Sequence, residues 1–214
     1  TETTIDSPEG SAVAENKAMS TIAVQAIDAQ GNNLTTGGDT VVLSSTGSAT
    51  ISAITDNGDG TYTATIKNAV AEDVTISGTI GGAAITDTAS VSFVAGAASA
   101  SETTIDTPAG TVVADDTATT TITIQAKDAQ GNNLTAGGDA IVLNTTGSAT
   151  ISAITDNGDG TYTATIKNAV AEDVTVSGTI GGAAITDTAS VSFVAGTASA
   201  SEPILDTPAG TVVA

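Results

Sequence analysis

Polar and apolar residues alternate along most of this chain. In Thr119-Thr120-Thr121-Ile122-Thr123-Ile124-Gln125-Ala126, the residues Ile122, Ile124 and Ala126 fall on one face and Thr121, Thr123 and Gln125 on the other. The runs Thr161-Tyr162-Thr163-Ala164-Thr165-Ile166, Asp173-Val174-Thr175-Val176-Ser177-Gly178 and Ala189-Ser190-Val191-Ser192-Phe193-Val194 repeat that two-residue period. A period of two built from Thr, Val and Ile predicts half-buried strands of antiparallel sheets. No segment sustains a 3.6-residue period, and Ala169-Val170-Ala171-Glu172 has room for one helical turn at most. Between the alternating runs stand turn formers such as Asp128-Ala129-Gln130-Gly131-Asn132-Asn133, Ala136-Gly137-Gly138-Asp139, Asn157-Gly158-Asp159-Gly160 and Gly181-Gly182. Gly and Asn tolerate the positive φ that tight turns demand, and Asn-Gly is a strong hairpin signal.

The pattern also recurs as a whole. A shift of 100 residues superimposes the chain on itself, with identity residue for residue from Thr46 to Asp73 onto Thr146 to Asp173. That period is too long for a solenoid repeat and matches one independent domain. The expected organisation is repeat 1 over 1–100, repeat 2 over 101–200, and the first strand of an incomplete third repeat over 201–214. Strands are expected in repeat 2 at 103–106 with 111–114 (A), 119–127 (B), 140–144 (C), 149–154 (D), 161–167 (E), 173–179 (F) and 184–195 (G). About seven short strands in about 100 residues predict an all-β fold, here tandem immunoglobulin-like antiparallel β-sandwiches. Two Tyr and two Phe in the whole sequence leave each core aliphatic.

Composition narrows the chemistry. There is no His, Cys, Trp or Arg, and the only cations are Lys17, Lys67, Lys127 and Lys167. Without His or Cys there is no Ser/His/Asp relay, no Cys/His pair and no thiolate or imidazole metal site. The net charge of −20 is the wrong sign for nucleic acid or an anionic membrane surface. No apolar run is long enough to span a bilayer. A carboxylate pair can in principle hydrolyse glycosides, but Tyr62, Tyr162, Phe93 and Phe193 are too few to build sugar platforms, so no enzyme and no small-molecule substrate are expected.

The frame from Thr121 through Asp128-Ala129-Gln130-Gly131-Asn132 to Thr155-Asp156-Asn157-Gly158-Asp159-Gly160-Thr161-Tyr162-Thr163-Ala164 resembles bacterial Ig-like domains of the invasin/intimin type, and it occurs in both repeats. Such domains stand in tandem in the stalks of large surface adhesins, including repeats-in-toxin biofilm adhesins. The resemblance implies an extracellular, cell-surface extender that projects a terminal binding module, often stiffened by Ca²⁺ between domains. It brings no receptor-binding site with it.

Sandwich topology sorts loops to two ends, which sets up a junction between the repeats. The lower end of repeat 1 is expected to present Glu15, Asn16, Glu72 and Asp73. The upper end of repeat 2 should present Asp128, Asn132, Asn133, Asp156, Asp159 and Asp187, with Glu102 in the linker and Asp106 just inside it. Carboxylates crowded without a cation repel, and at about 6 Å with an effective dielectric near 20 each pair costs on the order of 2–3 kcal/mol. Ca²⁺ takes six to eight oxygens from such groups. The expected ligands are Glu72, Asp73, Glu102, Asp106, Asp128, Asp156 and Asp159, although Asp, Asn and Gly are also what solvated turns use. The expected partners are neighbouring repeats of the same chain, in a monomer. The alternative is an adhesin module that itself binds a host or surface ligand; against it, the exposed faces are Thr, Ser and Ala, and binding surfaces concentrate Tyr, Trp and Arg.

Overall fold

The computed structural model of the chain describes residues 3–7, 10–17 and 20–199; the expected strand of a third repeat at 201–214 lies outside them. Repeat 1 contains β1 (Thr4–Asp6), β2 (Ser11–Val13), β3 (Ser20–Gln25), β4 (Val41–Ser45), β5 (Thr50–Ile51), β6 (Thr55–Asp56), β7 (Thr61–Lys67), β8 (Asp73–Ile80) and β9 (Ala83–Val94). Repeat 2 contains β10 (Thr104–Asp106), β11 (Thr111–Val113), β12 (Thr120–Gln125), β13 (Ile141–Thr145), β14 (Thr150–Ile151), β15 (Thr155–Asp156), β16 (Thr161–Lys167), β17 (Asp173–Ile180), β18 (Ala183–Ala184) and β19 (Ala189–Val194). In repeat 1 one sheet runs β1-β3-β7-β5 with β6 also on β7, and the other runs β2-β9-β8-β4. Repeat 2 duplicates both sheets. Each repeat is therefore an Ig-like sandwich.

The two-residue period decides what faces inward. In β3, Ile22 and Val24 are buried, and they pair with Ala64 and Tyr62 of β7. Opposite them, Val74 and Ile76 of β8 and Val91 and Phe93 of β9 complete one aliphatic cluster, which recurs in repeat 2 around Ile122, Ile124, Val174 and Phe193. The two buried Tyr have a structural use. Tyr162 Oη accepts the Asp139 N–H (2.9 Å), tying the approach to strand C onto strand E. The same bond in repeat 1 joins Asp39 to Tyr62 (3.0 Å).

Strand A, expected in two segments, divides between the sheets. In repeat 2 β10 pairs antiparallel with β12, and β11 pairs parallel with β19. Pro108 lies between the two halves and has no N–H with which to continue the first ladder.

Two expected strands are broken. Strand D is split into β14 and β15 because it carries one extra residue: Ile151 pairs with Ile166, but Thr155 pairs with Thr163. At the break, the Ser152 hydroxyl accepts the Thr165 N–H (2.9 Å), standing in for a main-chain acceptor in a β-bulge. Strand G is continuous in repeat 1 as β9, whereas the same sequence in repeat 2 is divided into β18 and β19. There, Thr186 donates its N–H to Ala100 O (3.1 Å) and its hydroxyl to Ser101 O (3.1 Å), so the inter-repeat linker draws the strand out of its ladder.

Candidate functional site at the junction of the repeats

The B–C loop of repeat 2 builds itself before it meets anything else. Asp128 Oδ1 accepts the N–H groups of Gln130 and Asn132 (both 2.9 Å), and the Asp128 N–H donates to Asn132 O (2.9 Å). The Gly131 N–H closes the turn on Asp128 O (3.0 Å) at φ +84°, a conformation in which a side chain is strained. The Asp-Ala-Gln-Gly-Asn sequence is thus a carboxylate-centred turn whose Asn side chain is left projecting.

That Asn closes the junction. Asn132 Nδ2 donates to Ala69 O (2.9 Å), and Asn132 Oδ1 accepts the Ala71 N–H (3.0 Å), so a single amide reads both polarities of the E–F loop of repeat 1. The same Nδ2 also donates to Asp128 Oδ2 (2.9 Å). That oxygen accepts the Gly96 N–H (2.9 Å) from the end of strand G of repeat 1. The linker is fixed as well: Ala98 forms a β-bridge with Asp128, and the Ser99 N–H donates to Lys127 O (2.7 Å). Ala98 and Ala100 pack against the core of repeat 2.

Asp128 is 1% exposed, a position that disfavours charge unless the carboxylate is fully hydrogen-bonded. Burial pushes its pKa up, but the Asn132 side chain and the N–H groups of Gly96, Asn132 and Gln130 outweigh it and hold the group below its ordinary value. It stays ionised, and the groups that stabilise its charge are amides.

A family model, that of invasin domain 3, matches residues 1–96 and again residues 98–196. The chain belongs to the invasin domain 3 family. Among solved structures, one described as invasin, a bacterial integrin-binding protein, is 25% identical with a TM-score of 0.63 over 89% of this chain. InvD of Yersinia pseudotuberculosis is 26% identical with a TM-score of 0.61 over 95% of this chain. The Escherichia coli adhesin FdeC is 30% identical with a TM-score of 0.61 over 92%. The chain spans 39%, 60% and 63% of those three structures respectively, less than two thirds of each. No curated protein matches it.

In this pair of invasin-type domains, the seven carboxylates expected to hold Ca²⁺ do not form one donor set. Among the described residues, no three carboxylates converge as a metal-binding group. Glu72 is engaged within its own repeat, where Oε1 accepts the Ser48 N–H (2.6 Å) and Asn68 Nδ2 (2.8 Å), which hold its pKa below the usual value. Asp73 opens β8 opposite Ser92 and is exposed. Asp106 ends β10 and accepts the Thr107 N–H (2.8 Å). Asp156 accepts the N–H groups of Gly138 and Gly158 (both 2.8 Å). Asp159 accepts the Thr161 N–H (3.0 Å) and hydroxyl, which lower its pKa. Glu102 stands beside Gly131 of the junction loop, but the Asp128 oxygens there already hold four N–H donors. This donor set does not fit a shared cation, because the carboxylates are separated and turned toward amides.

The loops meet as the topology requires, B–C of repeat 2 against E–F of repeat 1. What sequence reasoning missed is the part played by Asn132 and by main-chain groups at Ala69, Ala71 and Gly96. The Asp-Ala-Gln-Gly-Asn spacing is the signal that marks such a turn.

Proposed function

We propose that the chain is a structural extender module in the stalk of a bacterial cell-surface adhesin, acting outside the cell and having no catalytic role. Its mechanical element is the inter-repeat junction, where sandwiches joined end to end at a fixed angle set the distance between a surface and a terminal binding module. The observation that carries this reading is the Asn132 amide spanning Ala69 and Ala71 while Asp128 grips Gly96. A flexible string of domains has no use for a buried, fully bonded carboxylate at each joint. Family membership supports the setting, since FdeC is described as an adhesin and invasin as a bacterial integrin-binding protein. The exposed faces are rich in Thr and Ser, which suits a spacer better than a recognition surface.

Residual dipolar couplings of the native chain test this. Amides of both repeats are expected to fit one alignment tensor, unchanged between millimolar Ca²⁺ and EDTA. Two independent tensors in either condition would refute a rigid extender. One tensor in Ca²⁺ alone would return the stiffening to a metal ion.

A further inference from the structure

The Asp-Asn-Gly-Asp-Gly turn that joins β6 to β7, and its copy that joins β15 to β16, hold the two Asn-Gly pairs of the sequence, Asn57-Gly58 and Asn157-Gly158. Asn is a chemically labile residue, and an Asn followed by Gly reacts with its own main chain. The Gly nitrogen gives up its proton and attacks Asn Cγ. An N–Cγ bond forms, the Cγ–Nδ2 bond breaks, and the amide nitrogen takes up the proton and leaves as ammonia. Water then opens the resulting cyclic imide at either carbonyl, which leaves Asp or isoaspartate. Water is the only co-reactant, and nothing is oxidised or reduced.

Access does not prevent this reaction. Asn57, Gly58, Asn157 and Gly158 are all exposed, and a Cβ built on Gly58 or Gly158 meets nothing within 4 Å. The groups that must move are tied down instead. In repeat 2 the Gly158 N–H, whose proton has to leave, donates to Asp156 Oδ1 (2.8 Å). A carboxylate in that position stabilises the N–H and repels the nitrogen anion that attack requires. Asn157 Nδ2 donates to Thr161 Oγ1 (2.9 Å), and Asn157 Oδ1 accepts the Thr163 hydroxyl (3.4 Å), so the amide is held against β16. The Thr161 hydroxyl gives its one proton to Asp159, which leaves its lone pairs for Asn157. The Asn157 N–H to Thr161 O bond (3.1 Å) closes the hairpin. Repeat 1 has the same four bonds, at 2.8 Å for Gly58, 2.9 and 3.4 Å for the Asn57 side chain and 3.0 Å for its N–H.

We propose that Asn57 and Asn157 are latent self-modification sites: the closed hairpin holds each Asn-Gly pair unreactive, and opening of the hairpin releases it to lose ammonia and become Asp or isoaspartate. Local opening of this kind needs no global unfolding. The conversion is irreversible, so a modified repeat records that its hairpin has opened. Isoaspartate also routes the main chain through the former side chain and adds a methylene to it between β15 and β16. The Asn157 N–H to Thr161 O bond and the Asp156–Tyr162 pairing then lose their register. Asn32, Asn68, Asn132 and Asn168 lack this chemistry in comparable form, because Asn33, Ala69, Asn133 and Ala169 place a side chain beside the attacking nitrogen.

The test follows conversion at each site by peptide mass spectrometry of the full chain, held at mildly alkaline pH either native or in urea. Cleavage after lysine yields 18–67 and 128–167, which differ in sequence and report the two sites separately. Conversion should be at least about thirtyfold slower in the native chain than in urea, the combined effect of one bond to a carboxylate and one neutral bond. Thr161→Val should speed conversion of native Asn157 about three- to tenfold, the loss of a single neutral bond, while Asn57 keeps its rate. Thr161→Ser, which retains the hydroxyl, should convert as slowly as the native chain. Native-state exchange of the Gly158 N–H supplies a measure that needs no variant: exchange and conversion should rise together as urea opens the hairpin. Equal rates in native and urea samples, Thr161→Val indistinguishable from Thr161→Ser, or conversion that rises without Gly158 exchange would each overturn the proposal.

Discussion

Asn132→Ala isolates the junction from the folds it connects. The substitution removes two hydrogen bonds across the junction, to Ala69 O and from the Ala71 N–H, and one of the donors to the buried Asp128 carboxylate. Each neutral bond contributes about 0.5–1.5 kcal/mol net, and one to a charged group about 1.5–3 kcal/mol. The Asp128 bond lies within repeat 2 and is lost docked or undocked, so the docked arrangement should lose the two cross-junction bonds, about 1–3 kcal/mol, and each 1.4 kcal/mol multiplies the undocked population tenfold. The turn itself should persist, because the Asp128 N–H to Asn132 O and Gly131 N–H to Asp128 O bonds are main-chain. Asn32→Ala is the matched control: it deletes the same side chain from the same loop sequence, but one that makes no contact across a junction within the chain. Small-angle scattering and dipolar couplings of both variants at low concentration provide the assay. Asn132→Ala should lose the shared alignment tensor and broaden the distance distribution, and Asn32→Ala should do neither. Equal behaviour of the two variants, or unfolding of either repeat in Asn132→Ala at room temperature, would refute the reasoning.

Other outcomes follow from the same bonds. Asp128 has a depressed folded pKa, so its contribution is fully present above the unfolded value of about 3.9 and is lost as pH falls through the folded one. Scattering should then show a constant length from neutral pH to about pH 4 and a loosened junction only in stronger acid; loosening between pH 5 and 7 would contradict this. Gly60→Ala puts a Cβ 2.0 Å from Leu34 O at φ +85°, whereas Gly58→Ala at φ +78° meets nothing within 4 Å. The first should cost at least about 3 kcal/mol and the second only about 1–2 kcal/mol, read as chemical denaturation of repeat 1. Asn68→Ala removes a side chain that is 2% exposed, accepts the Val70 N–H (3.1 Å) and donates to Glu72 (2.8 Å). It should cost about 2 kcal/mol, a fall in Tm of about 8–16 °C for a domain this size, while repeat 2 melts as before.

The sandwich was legible because strand alternation is a local signal. Ile122, Ile124 and Ala126 are buried where period two puts them, and the turn formers separate the strands as expected. Departures arose where a partner distant in sequence intervened, as with the Ser152 hydroxyl in strand D and the Ala100 and Ser101 carbonyls against strand G of repeat 2. The junction was legible as a place, but not which groups would surround its carboxylates. Main-chain N–H groups, which no composition records, already serve Glu72, Asp128, Asp156 and Asp159. Nor does local sequence distinguish Asp28 from Asp128, since both sit in Asp-Ala-Gln-Gly-Asn, one half-exposed and the other buried. Only the neighbouring repeat separates them. Amide donors stabilise a carboxylate without cancelling its charge, so each joint leaves the net negative charge of the chain intact. Among the described residues a single ion pair forms, Lys167 with Asp116. A net negative charge of this size opposes non-specific association, while the hydrogen bonds at the junction hold the repeats together by groups that carry no positive charge.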